Sequence, residues 1–80
     1  MPSRLKNADK IVGTRRLVKA LEAGQIHIAY LAMDADLFIA RQVRGLCEKN
    51  NIPLVEVRSM QELGEACSIE VPCASCGIKR

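Results

Sequence analysis

The run Ile26-His27-Ile28-Ala29-Tyr30-Leu31-Ala32-Met33 constrains the fold of this 80-residue chain more than any other segment. Apolar residues occupy both of its alternating faces, interrupted only by His27. A strand apolar on both faces must be covered from both sides, which is the pattern of a central strand between helices. The run has a strand's length and is too short to cross a bilayer.

Its neighbours supply the cover. Thr14 to Ala23 reads as a helix, with Leu17, Val18, Ala20 and Leu21 on one face and Gly24 as its stop. A second helix spans about Ala35 to Lys49, with Asp34 or Asp36 as its cap and Ile39, Val43, Leu46 and Cys47 as its core stripe. Asn50-Asn51 and Pro53 end it. Leu54–Val57 is a second strand. Ser59-Met60-Gln61-Glu62 is a capping box that opens a short helix to about Ala66. A loop over Cys67–Pro72 leads into a last strand, Cys73–Ile78. Ahead of all this, Ser3–Lys10 reads as a short first helix and Ile11-Val12-Gly13 as a brief strand. The alternation of helix and strand predicts one α/β domain over residues 1–80. Its architecture is a three-layer α/β/α sandwich around a mixed sheet of about four strands.

Charge is distributed unevenly. Residues 1–20 hold Arg4, Lys6, Lys10, Arg15, Arg16 and Lys19 against Asp9, and the other sixty are net acidic. The basic residues concentrate at Gly13-Thr14-Arg15-Arg16-Leu17-Val18-Lys19, a helix start with no acid in its first turn. Cations at a helix N-terminus oppose the macrodipole at a cost of about 0.3–1 kcal/mol each. Arg15 and Lys19, four apart, also repel mildly. An anion seated on the free backbone N–H groups would relieve both, and nucleic-acid phosphate is the obvious candidate.

Other chemistries find little support. No G-x-x-x-x-G-K-[ST] or G-x-G-x-x-G occurs. His27 is the sole histidine and falls in the most apolar strand, so it reads as a structural, buried or sheet-edge residue and leaves no Ser-His-Asp or Cys-His constellation. Asp34 and Asp36 are explained by capping. Tyr30 and Phe38 lie in core-like elements, which argues against a base-stacking platform. Cys73-Ala74-Ser75-Cys76 is a C-x-x-C, the spacing of a redox pair or half a zinc site, with only Cys47, Cys67 or His27 left to complete a metal shell. In a strand, residues three apart point to opposite faces, so the cysteines read as small core residues and no metal or cofactor is expected. A polar, basic N-terminus without an apolar stretch, and no run long enough to cross a bilayer, predict a cytoplasmic protein with reduced thiols and no membrane partner. The missing catalytic motifs predict no enzymatic activity.

The segment from Ile52 to Pro72, with its core Glu62-Leu63-Gly64-Glu65-Ala66-Cys67-Ser68-Ile69-Glu70-Val71-Pro72, resembles a signature of the kink-turn RNA-binding ribosomal protein L7Ae/L30e family. Gly13 to Lys19 resembles that family's G-x-x-x-x-x-K helix start. The likeness spans about Lys6 to Ile78 and is greatest to the short bacterial members. It implies an α/β/α sandwich and a non-catalytic, monomeric RNA binder that stabilises kink-turns in ribosomal or structured regulatory RNA. By that likeness Gly13, Thr14, Arg15, Arg16 and Lys19 meet tandem sheared G·A pairs. Ile69, Glu70, Val71 and Pro72, with Ala74 just beyond, cover a flipped-out base, and Asp36 helps hold the site. The chain departs from the family in carrying Arg15-Arg16 where the archaeal and eukaryotic members have Asn-Glu, and Met60 where a lysine is common. Two alternative functions stand beside this one: a thiol-based zinc or redox protein using Cys73 and Cys76, and a protein-interaction member of the same fold.

Overall fold

A computed structural model describes residues 9–80. The expected first helix over Ser3–Lys10 lies outside them except at its end, where Lys10 opens a strand. The element order is β1 (Lys10–Val12), α1 (Thr14–Glu22), β2 (Ile26–Ala32), α2 (Leu37–Lys49), β3 (Leu54–Val57), α3 (Met60–Ala66) and β4 (Ser75–Lys79). The strands form one sheet in the order β1-β4-β2-β3. β4 runs antiparallel to both of its neighbours, while β2 and β3 are parallel. β1, β2 and β3 therefore point the same way. Their C-terminal ends, the start of β4 and the starts of all three helices gather at one edge of the sheet.

The two faces of β2 carry separate cores. Ala29 and Leu31 pack with Leu17, Ala20 and Leu21 of α1 and Val43 and Cys47 of α2. Tyr30 and Ala32 pack with Val57, Leu63 of α3, Cys67, Cys73, Cys76 and Ile78. This is the three-layer sandwich that the alternation of elements predicts. Gly77 of β4 lies directly under α1, where a Cβ would come within 2.7 Å of Leu17 Cδ1, so the helix rests against bare backbone.

One expectation fails at β2. A register shift between Ile26 and Ile28 marks a β-bulge. The bulge lets Ile26 join the same face as Ala29 and Leu31, and it turns His27 out to solvent. His27 is thus an exposed residue rather than a buried one.

The helix ends follow local rules. Each helix closes with paired 5→2 and 6→1 backbone bonds, the Schellman arrangement. In α1, Gly24 N–H donates to Leu21 O and Gln25 N–H to Ala20 O. In α2 the pair is Asn51 to Glu48 and Ile52 to Cys47. In α3 it is Ser68 to Glu65 and Ile69 to Gly64. The left-handed residue is glycine only in α1; Asn51 (φ 56°) and Ser68 (φ 62°) take it in the other two.

Candidate nucleic-acid interface

The helix starts at the shared edge are capped differently. At α2, Asp36 Oδ1 accepts from Phe38 N–H at 2.8 Å and from Ile39 N–H at 3.4 Å. Asp34, the other capping candidate, instead accepts from Met60 N–H at 2.7 Å and ties β2's exit to the start of α3. Ser59 Oγ accepts from Glu62 N–H at 3.1 Å, the capping-box bond read from the sequence. α1 alone has no side-chain cap and no acid in its first turn. Its N-cap, Gly13, adopts φ 104°, a conformation open to glycine and strained for any other residue, and nothing would contact a Cβ there. The first turn of α1 thus has no side-chain cap, and the exposed cations Arg15 and Arg16 lie in it.

Arg15, Arg16 and Lys19 are exposed and form no ion pair with any described residue. The two arginines diverge. Arg15 lines a depression between α1 and α2 with Thr14, Val18, Lys19, Glu22 and Gln42. Arg16 lines a second one with Lys10, Ile11, Lys19 and Gln25. Lys19 borders both, so the charge spreads around the α1 start instead of focusing on one point.

The loop from Ile69 to Pro72 returns along α3 toward this edge, where Cys73 N–H donates to Met60 O at 3.0 Å, and two features fix its path. The Schellman bonds of α3 hold Ile69 half-buried against the core. Beyond it the chain crosses α3 at Gly64, where any Cβ would collide with the Val71 carbonyl and lie 3.3 Å from Pro72 Cα. Glu70, Val71 and Pro72 are exposed. With Ile69, Gln61 and Glu65 they line a depression whose floor is apolar and whose rim carries two carboxylates. The two apolar residues expected to seat a base are therefore unlike: Ile69 is anchored in the core, while Val71 is 62% exposed.

Ser75 joins loop to helix. Its carbonyl accepts from Gly13 N–H at 3.1 Å, and its fully buried hydroxyl hydrogen-bonds to Thr14 Oγ1 at 2.7 Å. Ala74 O, one residue earlier, accepts from Ala32 N–H at 2.9 Å. The segment that follows the loop is thereby stitched to the ends of β1 and β2. Gly13, Thr14, Arg15, Arg16, Lys19, Asp36 and the 69–72 loop all lie toward this edge, although Asp36's observed contacts are those of a helix cap.

Sequence reasoning missed two features. Phe38, placed in the core by its helix, is 75% exposed, as are Leu37 (66%) and Met33 (64%) near it. α2 starts at Leu37, two residues later than the apolar pattern suggests, and Phe38 falls off the Ile39-Val43-Leu46-Cys47 stripe, on the same helix face as Gln42. The second feature is the cysteines. Cys73 lies ahead of β4 and not within it, so the rule that strand residues three apart face opposite ways does not apply. Cys67, Cys73 and Cys76 come together, all buried, with Sγ atoms within 4.8 Å of one another. Burial pushes the Cys67 thiol up. Cys73 is drawn down to about 7, chiefly by a hydrogen bond from Cys76, and Cys76 is driven up by that same bond. Cys47 stands apart in the other core.

Residues 2–80 match the model of the ribosomal protein L7Ae/L30e/S12e/Gadd45 family. The chain is 37% identical over 70 residues to the RNA-binding protein YbxF of Geobacillus stearothermophilus, covering 88% of this chain and 85% of that one. It is also 37% identical over 68 residues to an RNA-binding protein of Bacillus pumilus, covering 85% and 83%. The Giardia lamblia 15.5kD RNA binding protein superposes with a TM-score of 0.88 at 26% identity, over 98% of this chain and 69% of that one. The chain belongs to the ribosomal protein L7Ae/L30e/S12e/Gadd45 family.

Proposed function

We propose that this protein is a non-catalytic RNA-binding module that recognises and stabilises a kink-turn. The observation that carries the reading is the uncapped, cation-flanked start of α1 tied through Ser75 to the segment following the 69–72 loop. Two parts that contact an RNA from different sides are thus held in one rigid relation. Family membership and the RNA-binding relatives support the same conclusion.

Each part has a distinct task. Gly13 lets RNA approach the amides of α1 closely. Arg15 and Arg16 reach phosphates or guanine O6/N7 edges, where a guanidinium binds bidentately. Lys19 adds a point charge between them. Ile69 offers an apolar floor to an unstacked base, with Val71 and Pro72 as its lid. Glu65 and Glu70 repel phosphate at that depression but accept hydrogen bonds from base amino groups, so the loop suits a base and not the backbone. Phe38, exposed on the α2 face that meets the Arg15 depression, supplies a ring on which a further unpaired base can stack.

Amide chemical shifts on titration with a kink-turn RNA test the assignment. The reading expects the largest changes at residues 13–19 and 69–74. Changes confined to β3 or to the helix C-termini would overturn it.

A further inference from the structure

Beneath the same edge, Cys67, Cys73 and Cys76 bring three sulfurs within 4.8 Å of one another, with Cys67 and Cys76 at 3.5 Å. The residues are 2%, 4% and 0% exposed. No imidazole or carboxylate of the described residues joins them, and the three lie in the apolar core that Tyr30, Val57, Leu63 and Ile78 complete. We propose that Cys67, Cys73 and Cys76 form a binding site for a soft d10 cation, Cu(I), held by three sulfurs. The site is independent of the RNA reading.

The donor set selects the ion. Thiolate and thioether ligands favour soft metals. Structural zinc takes four ligands in a tetrahedron, whereas three sulfurs in a dry pocket with no further donor suit a trigonal Cu(I) ion. A metal–sulfur bond of about 2.3 Å in a trigonal plane separates the sulfurs by about 4 Å, within the spread found here. Binding is coupled to proton release. It forms three copper–sulfur bonds, breaks three S–H bonds and releases the three protons to water; copper stays monovalent and the pocket's charge changes by −2, so retention should strengthen as pH rises. The Cys73 thiol donates to the Ser75 carbonyl at 3.1 Å, which fixes where its sulfur sits beside the other two.

The test uses the full chain, reduced and without oxygen, titrated with Cu(I) delivered as a bicinchoninate complex. The expected result is one Cu(I) drawn from the chelator per chain, with near-ultraviolet thiolate-to-copper absorption. Cys67→Ala, Cys73→Ala and Cys76→Ala should each weaken retention by at least about tenfold. Cys47→Ala, in the other core, should leave it unchanged. Circular dichroism of the copper-free variants checks that they fold. Copper X-ray absorption on the unaltered protein reads the ligands directly, so the proposal stands or falls even if a variant does not fold. Three sulfurs around copper support the site. No uptake, uptake that survives all three substitutions, a nitrogen or oxygen shell, or displacement of Cu(I) by equimolar Zn(II) would overturn it.

Discussion

Thr14 Oγ1 and Ser75 Oγ, 61 positions apart in the chain, form a hydrogen bond of 2.7 Å that locks the start of α1 to the start of β4. Because Ser75 is fully buried, its hydroxyl has no water to turn to. Thr14→Val keeps the shape and orphans that hydroxyl, so it should cost about 1–3 kcal/mol of stability. The double variant with Ser75→Ala should recover part of the loss. Denaturant unfolding of the four proteins in the cycle measures the coupling.

Asp36 separates capping from ligand contact. Asp36→Ala removes both observed capping bonds and should destabilise the fold by about 0.5–2 kcal/mol, whereas Asp36→Asn should keep nearly all of it. Thermal unfolding of the two variants checks this. Unchanged RNA affinity in Asp36→Asn would show that the residue acts by placing α2.

Ser68 holds a left-handed conformation that costs a serine more than a glycine. Ser68→Gly should therefore stabilise the protein by about 0.5–1 kcal/mol while leaving the Schellman bonds of α3 intact. Gly64→Ala acts oppositely. Its Cβ would strike the Val71 carbonyl, so it should cost about 1–3 kcal/mol and displace the 69–72 loop. Equilibrium unfolding distinguishes the two signs.

The divergent arginines make a prediction about salt. Arg15→Ala and Arg16→Ala should each weaken RNA binding, and each that contacts phosphate should lower the salt slope of log K by about one. Phe38→Ala should leave stability within about 0.5 kcal/mol, because the ring is solvent-exposed, and should weaken binding by about 1–3 kcal/mol if a base stacks on it. Titrations at several salt concentrations separate the charged from the stacking contributions.

Most of the architecture was legible in the sequence because period and punctuation agreed. Leu54–Val57, the capping box at Ser59 and the α1 stop at Gly24 are local signals, and each element formed where its signal lay. The misreadings share a physical origin, since each depended on an offset of one or two residues that periodicity does not encode. The bulge at His27 exchanges faces within β2. Of the two capping candidates Asp36 is the one used, and the helix that starts after it leaves Phe38 beside the core stripe instead of on it. The late start of β4 at Ser75 brings Cys73 back beside Cys76. The basic α1 start was readable from charge alone, but its tie to Ser75 crosses the whole chain and has no local signature.

The central claim is selective recognition of a kink-turn by the α1 start and the 69–72 loop. The most direct measurement is the dissociation constant for a kink-turn RNA beside that for the same RNA with its tandem G·A pairs replaced, at one fixed salt concentration. The account predicts that replacement weakens binding at least about tenfold, or about 1.4 kcal/mol. Equal affinity for the two RNAs, or none for either, would contradict it.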